Sequence, residues 1–370
     1  MSHLLRDQRC ARVRHAMGQA GLDLLVVVGD AWRSDYLRFV VDVTPMEGVA
    51  VVALGRTGPT CVWVQHPAEA ARWQQALPMA VVVCVADPAT AVLAHLAHLA
   101  PVPASAVGLA PSQVAPLSLA AGTLGKTLAA CTAMLDGLMV NKSLEEADAL
   151  ARSVRLADEG YAVFKQAARV GRQEFELVAD VEAWFRSQGC PENFMILGSG
   201  GPELRSMHPA GERRLAPGDL VTTELTPCAD GYYTQICRTL VMGEPSRAQR
   251  DAFAVYQQAL EAGIAVVRPG ATHGDVAKAQ NDVFRQHGLG DYVTSQYTRV
   301  RGHGLGLFVD GPHVLEGVPL VLEENMTLVV HPNTYHPVAG YIVLGDTVRV
   351  TATGCEVLTT TPRELFSVPL

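Results

Sequence analysis

The residues able to do chemistry crowd into the second half of the chain. Histidines stand at 208, 303 and 331, a glutamate at 224, a glutamine and a cysteine at 235 and 237, an arginine at 301 and an aspartate at 310. Histidine changes charge near neutral pH, so His208, within Met207-His208-Pro209, is a candidate for acid/base work. His303, His331 and Glu224 together have the donor types of a single Zn²⁺ or Fe²⁺ site, two imidazoles and one carboxylate. Glu224 alone would bind an amide N–H or a cationic group, or act as a second acid/base. Cys237 would be a thiolate nucleophile beside a histidine. On a strand, alternating with Gln235 on one face, it also reads as a small buried side chain. Arg301, two residues before His303, would grip a substrate carboxylate through paired donors. In the first third, Trp32-Arg33 sets an aromatic beside a cation, and an ordinary surface arginine is the other reading of Arg33. His273, His287, His313 and His336 read as exposed or structural.

The elements that must position these residues alternate along the chain. Helical spacing over Arg9–Ala20 is followed by a β-rich run, Leu22–Val28, ended by Gly29-Asp30. Val49–Leu54 and Thr60–Val64 flank Gly55–Pro59 as a hairpin. Met79–Val85 reads as a buried strand, Ala91–Leu99 as a helix and Ala106–Leu109 as a strand, an α/β pattern. Near Leu138 the pattern changes. Ser143 with Glu146 three residues on predicts a capped helix start, followed by a long helix to about Gly171 and a second over Glu174–Ser187. Strands over Leu220–Glu224 and Gly231–Met242 follow, then helices over Arg247–Val267 and Asp275–His287. The last strands are expected at Thr327–His331, Tyr341–Leu344, Asp346–Thr351 and Cys355–Thr359. Two helices and then strands, twice over, suggest an internal duplication.

Composition narrows the classes. The chain has 370 residues, 49% hydrophobic and 18% charged, which excludes wholesale disorder and suggests two domains. A net charge of −8 and 6% aromatic residues argue against nucleic-acid binding. The eight cysteines are scattered with no Cys-x-x-Cys pair, the start Met1–Asp7 is polar and the longest apolar runs are strand-sized. A cytoplasmic protein with reduced thiols and no membrane span is expected.

Several stretches of the second half recur in one order: Gly198-Ser199-Gly200-Gly201, then Met207-His208-Pro209; Pro217–Val221, Glu224 and Gly231–Thr239; Arg301–Gly306; Val330-His331-Pro332-Asn333-Thr334-Tyr335; and Gly345–Thr351 with Glu356–Thr359. Together they resemble the creatinase/aminopeptidase P/prolidase/methionine aminopeptidase family, whose fold is called pita-bread. The resemblance implies an α/β small N-terminal domain of the creatinase/prolidase type over residues 1–138 and an α+β pita-bread domain over residues 139–370. Metallopeptidases of the family hold two metal ions with two Asp, one His and two Glu. The first Asp position falls on Glu224, the second on Gln235, the His on His303, the first Glu on His331 and the last Glu on Gly345. Two ions about 3.5–4 Å apart need bridging carboxylates, which Gln235 and Gly345 cannot supply. A dinuclear peptidase is therefore not expected.

Creatinase has the fold without metal, and its catalytic histidine aligns with His208. Gly231-Tyr232-Tyr233-Thr234 and Arg238-Thr239-Leu240 resemble its text around the same strand. The resemblance thus implies metal-independent, cofactor-free hydrolysis of a C–N bond, amide or amidine, in a small polar molecule. His208 would be general base and then acid, with Glu224, His303 and His331 also catalytic. Gln235, Cys237, Arg301, Asp310 and Tyr335 would bind substrate. Cys237 and His331 replace two glutamates that grip the guanidinium in creatinase, so creatine is not expected as substrate. Asp310 stands where peptidases have a second histidine. In creatinase-like dimers the small domain of one subunit reaches the other's site, so a homodimer is expected, with Trp32 and Arg33 touching substrate from the partner chain. The alternatives are a one-metal hydrolase or peptidase using His303, His331 and Glu224, a lyase of the same fold, and a non-catalytic binding module.

Overall fold

The computed structural model describes residues 3–99, 106–113, 115–116, 119 and 128–370; Met1 and Ser2 of the polar start lie outside them. The chain divides into two compact units, Met1–Met139 and Val140–Leu370. No described helix is long and apolar enough to cross a membrane, and all eight cysteines are thiols outside any disulfide.

The first unit is a six-stranded mixed sheet with helices. Strands β1 (Leu24–Asp30), β2 (Val49–Gly55), β3 (Cys61–Val64), β4 (Val81–Cys84), β5 (Val107–Ala110) and β6 (Ala129–Ala130) lie in the order β4-β3-β2-β1-β5-β6. β2 and β3 form the antiparallel hairpin read from the sequence. Val26, Val28, Val51 and Trp63 bury one sheet face against Val92 and Leu96 of helix Pro88–Leu99. The expected buried strand Met79–Val85 is instead the sheet edge: Val81 is 49% exposed and Val83 38%. Its valines signal β-structure but not which position in the sheet the strand takes. After β1 the chain turns sharply. Asp30 Oδ1 accepts the backbone N–H groups of Trp32 and Arg33, both at 2.7 Å, and Trp32 stands 91% exposed.

The second unit repeats one plan. Helices Leu144–Ala167 and Glu174–Ser187 precede β7 (Glu192–Gly200), β8 (Leu220–Ala229), β9 (Tyr232–Tyr233) and β10 (Ile236–Met242). Helices Arg247–Val266 and His273–Gln286 precede β11 (Gly302–Gly304), β12 (Thr327–Val330), β13 (Thr334–His336), β14 (Gly340–Ile342), β15 (Asp346–Val350) and β16 (Cys355–Val357). The final strand, β17 (Phe366–Val368), returns to the first sheet, ordered β17-β10-β8-β7, while the second runs β11-β12-β15-β16. Ser143 caps its helix as expected, with Glu146 closing the box, and Ser246 with Gln249 and Thr272 with Asp275 do the same. Each satisfies helix-end N–H groups that would otherwise lack partners. Phe164, Leu177 and Phe185 bury Leu225, Ile236 and Leu240 of the first sheet. Tyr256, Leu260 and Phe284 bury Leu328, Val330 and Val348 of the second. The two sheets meet where Cys237 and Gly345 exchange backbone hydrogen bonds of 3.1 and 3.0 Å. The site is built around this seam.

Candidate active site

Glu224 sits mid-strand on β8, paired with Ile196 on β7 and Cys237 on β10. His303 is the middle residue of β11, and His331 follows β12, its N–H donating to the Arg301 carbonyl at 3.2 Å. These three, with Gln235, Asn333 and Tyr341, line a cavity of about 530 Å³. Arg205, Tyr297, Arg299 and Asp310 also line it. The volume suits a small ligand.

Burial sets the protonation states. Asn333 Nδ2 donates to Glu224 Oε1 at 2.6 Å. Glu224 keeps some exposure to the cavity, but desolvation pushes its pKa up to about 7 against the lowering effect of Asn333. The imidazoles of His303 and His331 meet edge to face at 5.6 Å, both nearly inaccessible. Desolvation lowers the pKa of His303 and holds that of His331 well below the ordinary range, helped there by His303. Both are therefore neutral at pH 7. Nδ1 of His303 contacts the Gly304 carbonyl at 3.1 Å, while Nδ1 of His331 is buried with no hydrogen-bond partner.

These shifts predict how stability depends on pH in the metal-free protein. Stability from keeping the two histidines neutral is fully present above about pH 6.5 and is lost as pH falls through their lowered folded values. Glu224 runs the other way: its contribution is present below about pH 4.5 and lost as pH rises toward about 7. Between these limits two groups oppose one. Glu224→Gln is expected to steepen the rise of stability with pH from about 5 to about 6.5, read by urea unfolding with chelator present. A shallower rise in the variant contradicts the assignment.

Of the other sequence candidates, Asp310 shares the cavity lining and the rest stand outside it. His208 is 46% exposed, its Nδ1 contacts the Pro209 carbonyl at 2.8 Å, and it does not line the cavity although Ser206 and Met207 do. Arg301 is 2% exposed and structural: Nε donates to Asn281 at 2.5 Å, Nη1 to the Asn333 carbonyl at 2.9 Å, and the guanidinium lies over Phe284. Cys237 is fully buried behind Gln235, and desolvation raises its pKa well above the ordinary value, so the thiol stays protonated. Tyr335 is buried, is not among the lining residues, and carries Arg205 on its ring. Asp310 lines the cavity and is held by Arg299 at 2.7 Å. Trp32 and Arg33 belong to the first unit. Sequence reasoning missed Asn333, Arg205 and Arg299 as cavity residues; Asn333 stood inside the motif with His331 and was its only signal.

Known proteins share this fold. The profile of metallopeptidase family M24 matches residues 148–352, more than half of the chain. The chain belongs to metallopeptidase family M24. A Xaa-Pro dipeptidase of Pyrococcus furiosus is 28% identical over 236 residues, 63% of this chain and 67% of that protein. A probable dipeptidase PepE of Mycobacterium tuberculosis is 30% identical over 253 residues, 68% of this chain and 66% of that protein. The crystal structure of dipeptidase PepE from Mycobacterium ulcerans superposes with a TM-score of 0.84 at 27% identity, covering 100% of both chains. The prolidase from Pyrococcus furiosus gives 0.81 at 21% identity over 94% of this chain and 99% of that one, a likeness of fold. The M24 chain thus has an α/β N-terminal domain of the creatinase/prolidase type and an α+β pita-bread domain. The expectation of a metal-independent, creatinase-like hydrolase driven by His208 is overturned. The relatives are named dipeptidases, and this chain belongs to a metallopeptidase family.

The family implies metal ions, and the seam residues test the fit. A side chain cannot be added at Gly345: its Cβ would stand 2.6 Å from His331 Cβ, 3.0 Å from the Val330 carbonyl oxygen and 3.1 Å from Cys237 Sγ. His331 and Cys237 therefore occupy the space a carboxylate at 345 would need. Gln235 is neutral, with Oε1 3.4 Å from Thr226 Oγ1 and Nε2 3.4 Å from Cys237 Sγ. Two ions do not fit these residues. The donor chemistry suits one ion better: two neutral imidazoles, one with an unpartnered buried nitrogen, beside one carboxyl. Among the described residues no three such side chains already form a cage, and Glu224 is engaged by Asn333.

Proposed function

We propose that this M24 chain is a hydrolase of short peptides or a peptide-like amide, working with one divalent ion rather than two. The observation that carries the reading is the joint placement of Glu224, His303 and His331 on one cavity, in a chain of a metallopeptidase family. The relatives named dipeptidases support a dipeptide-sized substrate, and the cavity volume agrees. His303 and His331, neutral through burial, would hold an ion through their lone pairs, and Glu224, now bonded to Asn333, would supply the negative charge. Such an ion polarises a carbonyl and acidifies water. Gln235, its amide fixed between Thr226 and Cys237, orients the substrate. A cytoplasmic homodimer, in which Trp32 and Arg33 of one copy reach the ligand of another, belongs to the same proposal and rests on the sequence resemblance.

The test is turnover of Xaa-Pro and other dipeptides after chelation and after return of Mn²⁺, Co²⁺ or Zn²⁺, with metal content measured alongside. Activity restored by metal and saturating near one ion per chain is expected. Saturation at two ions overturns the one-ion reading. Absence of turnover with every metal overturns the hydrolase reading.

A further inference from the structure

One cation on the cavity lining is left without a counter-charge. Arg205 lies on the loop between β7 and β8, is exposed and lines the cavity. Its guanidinium carbon sits 4.2 Å from the centroid of the Tyr335 ring. That ring is a fixed platform. Tyr335 is 4% exposed, and its hydroxyl donates to the Pro202 carbonyl at 2.9 Å. The ring stacks on Tyr297 at 5.6 Å and meets Tyr292 edge-on at 5.5 Å. Stacking immobilises a guanidinium while leaving its N–H donors free for a ligand.

Among the described residues Arg205 has no hydrogen-bond or ion-pair partner, whereas the other arginine of the lining is paired. Arg299 donates to Asp310 at 2.7 Å and contacts His313 at 3.0 Å. Glu203, close in sequence to Arg205, turns to the Gly201 N–H at 2.9 Å and toward Arg213 at 3.9 Å. Arg205 thus presents a stacked guanidinium with unused donors on the exposed part of the lining.

We propose that Arg205 is a specificity-determining contact that selects ligands bearing a carboxylate at the open edge of the cavity. The inference deepens the hydrolase reading and rests on it only for the ligand being a peptide. The carboxylate could be the peptide's C-terminus or an acidic side chain, and paired probes separate the two. Calorimetry on the full chain compares Ala-Pro with Ala-Pro amide, and Ala-Glu amide with Ala-Gln amide. Wild type is expected to bind the charged member of at least one pair about 10-fold or more tightly than its neutral counterpart, as for a charge-assisted hydrogen bond. The pair that discriminates names the source. Arg205→Met should abolish the preference and Arg205→Lys keep part of it, with unchanged thermal unfolding showing that both variants fold. Equal binding within both pairs by wild type, or a preference that survives in Arg205→Met, overturns the inference. Turnover separates it from the hydrolase reading. Carboxylate-selective binding without hydrolysis sustains the role of Arg205 and overturns the hydrolase; hydrolysis indifferent to the carboxylate does the reverse.

Discussion

Glu224→Gln is expected to lower turnover of the best dipeptide substrate by about 100- to 10,000-fold while leaving the fold intact. Glu224 and Asp310 are the two carboxyl groups lining the cavity, and Asp310 is committed to Arg299. Two roles are open to Glu224: holding an ion through a carboxylate oxygen, and carrying a proton with a pKa of about 7. A glutamine can do neither. It has the same shape, and its carbonyl oxygen can still accept from Asn333 Nδ2. It also removes a group whose charged form is penalised by burial, so stability at about pH 8 should hold or rise. The paired measurement is kcat with thermal unfolding at the same pH. Turnover within about threefold of wild type would remove Glu224 from the chemistry, and loss of turnover accompanied by loss of stability would show a structural defect instead.

How far this site was legible follows from which signals are local. The capping pair Ser143 and Glu146, the hairpin of β2 and β3 and the helix Glu174–Ser187 were readable because turn chemistry and periodicity are written in adjacent residues. Glu224, His303 and His331 were legible from motif order, and the structure brings them to one cavity. Arg301 misled because it stands two residues before His303, where strand alternation would put both on one face. The strand begins only at Gly302, whose φ of 140° turns the chain and whose Cβ, if present, would lie 2.1 Å from the Val329 carbonyl oxygen. The alternation breaks there, and Arg301 turns to Asn281 and Phe284. His208 pairs its backbone with Leu197 in an isolated bridge, a long-range contact that no local pattern announces, and its ring stands outside the cavity lining. Arg205 and Arg299 carry no sequence pattern, and Asn333 only its place in the motif with His331, because their roles arise from side chains brought together by the sheets. The seam at Gly345 was equally hidden. The sequence shows a missing carboxylate, whereas the structure shows that His331 and Cys237 fill its place.

The same seam predicts the largest loss of stability, on replacing Arg238 with alanine. Arg238 on β10 is completely buried and uses its fork fully. Nη1 donates to the carbonyls of Gly345 at 2.7 Å and Cys237 at 2.9 Å, and Nη2 to Asp346 Oδ1 at 2.7 Å and the Thr361 carbonyl at 2.6 Å. Nε reaches the Pro362 carbonyl at 3.1 Å. Asp346, 1% exposed, also accepts from Thr359 Oγ1 at 2.8 Å and Arg363 Nε at 2.5 Å. Alanine would leave a buried carboxylate with half its cation support and several carbonyls without donors. About 3–5 kcal/mol is expected, a fall in melting temperature on the order of 10 °C. Arg238→Lys should recover little, since one ammonium cannot span the fork. Removing both charges distinguishes pairing from packing. An Arg238→Met, Asp346→Leu double variant is expected to lose less than Arg238→Ala alone, because no fully buried charge is then stranded and the released Arg363 is part-exposed. Urea unfolding of the variants decides it: if the double variant loses the sum of the two single losses, the pair does not act as a unit, and the seam that seats His331 beside Gly345 is held by packing instead.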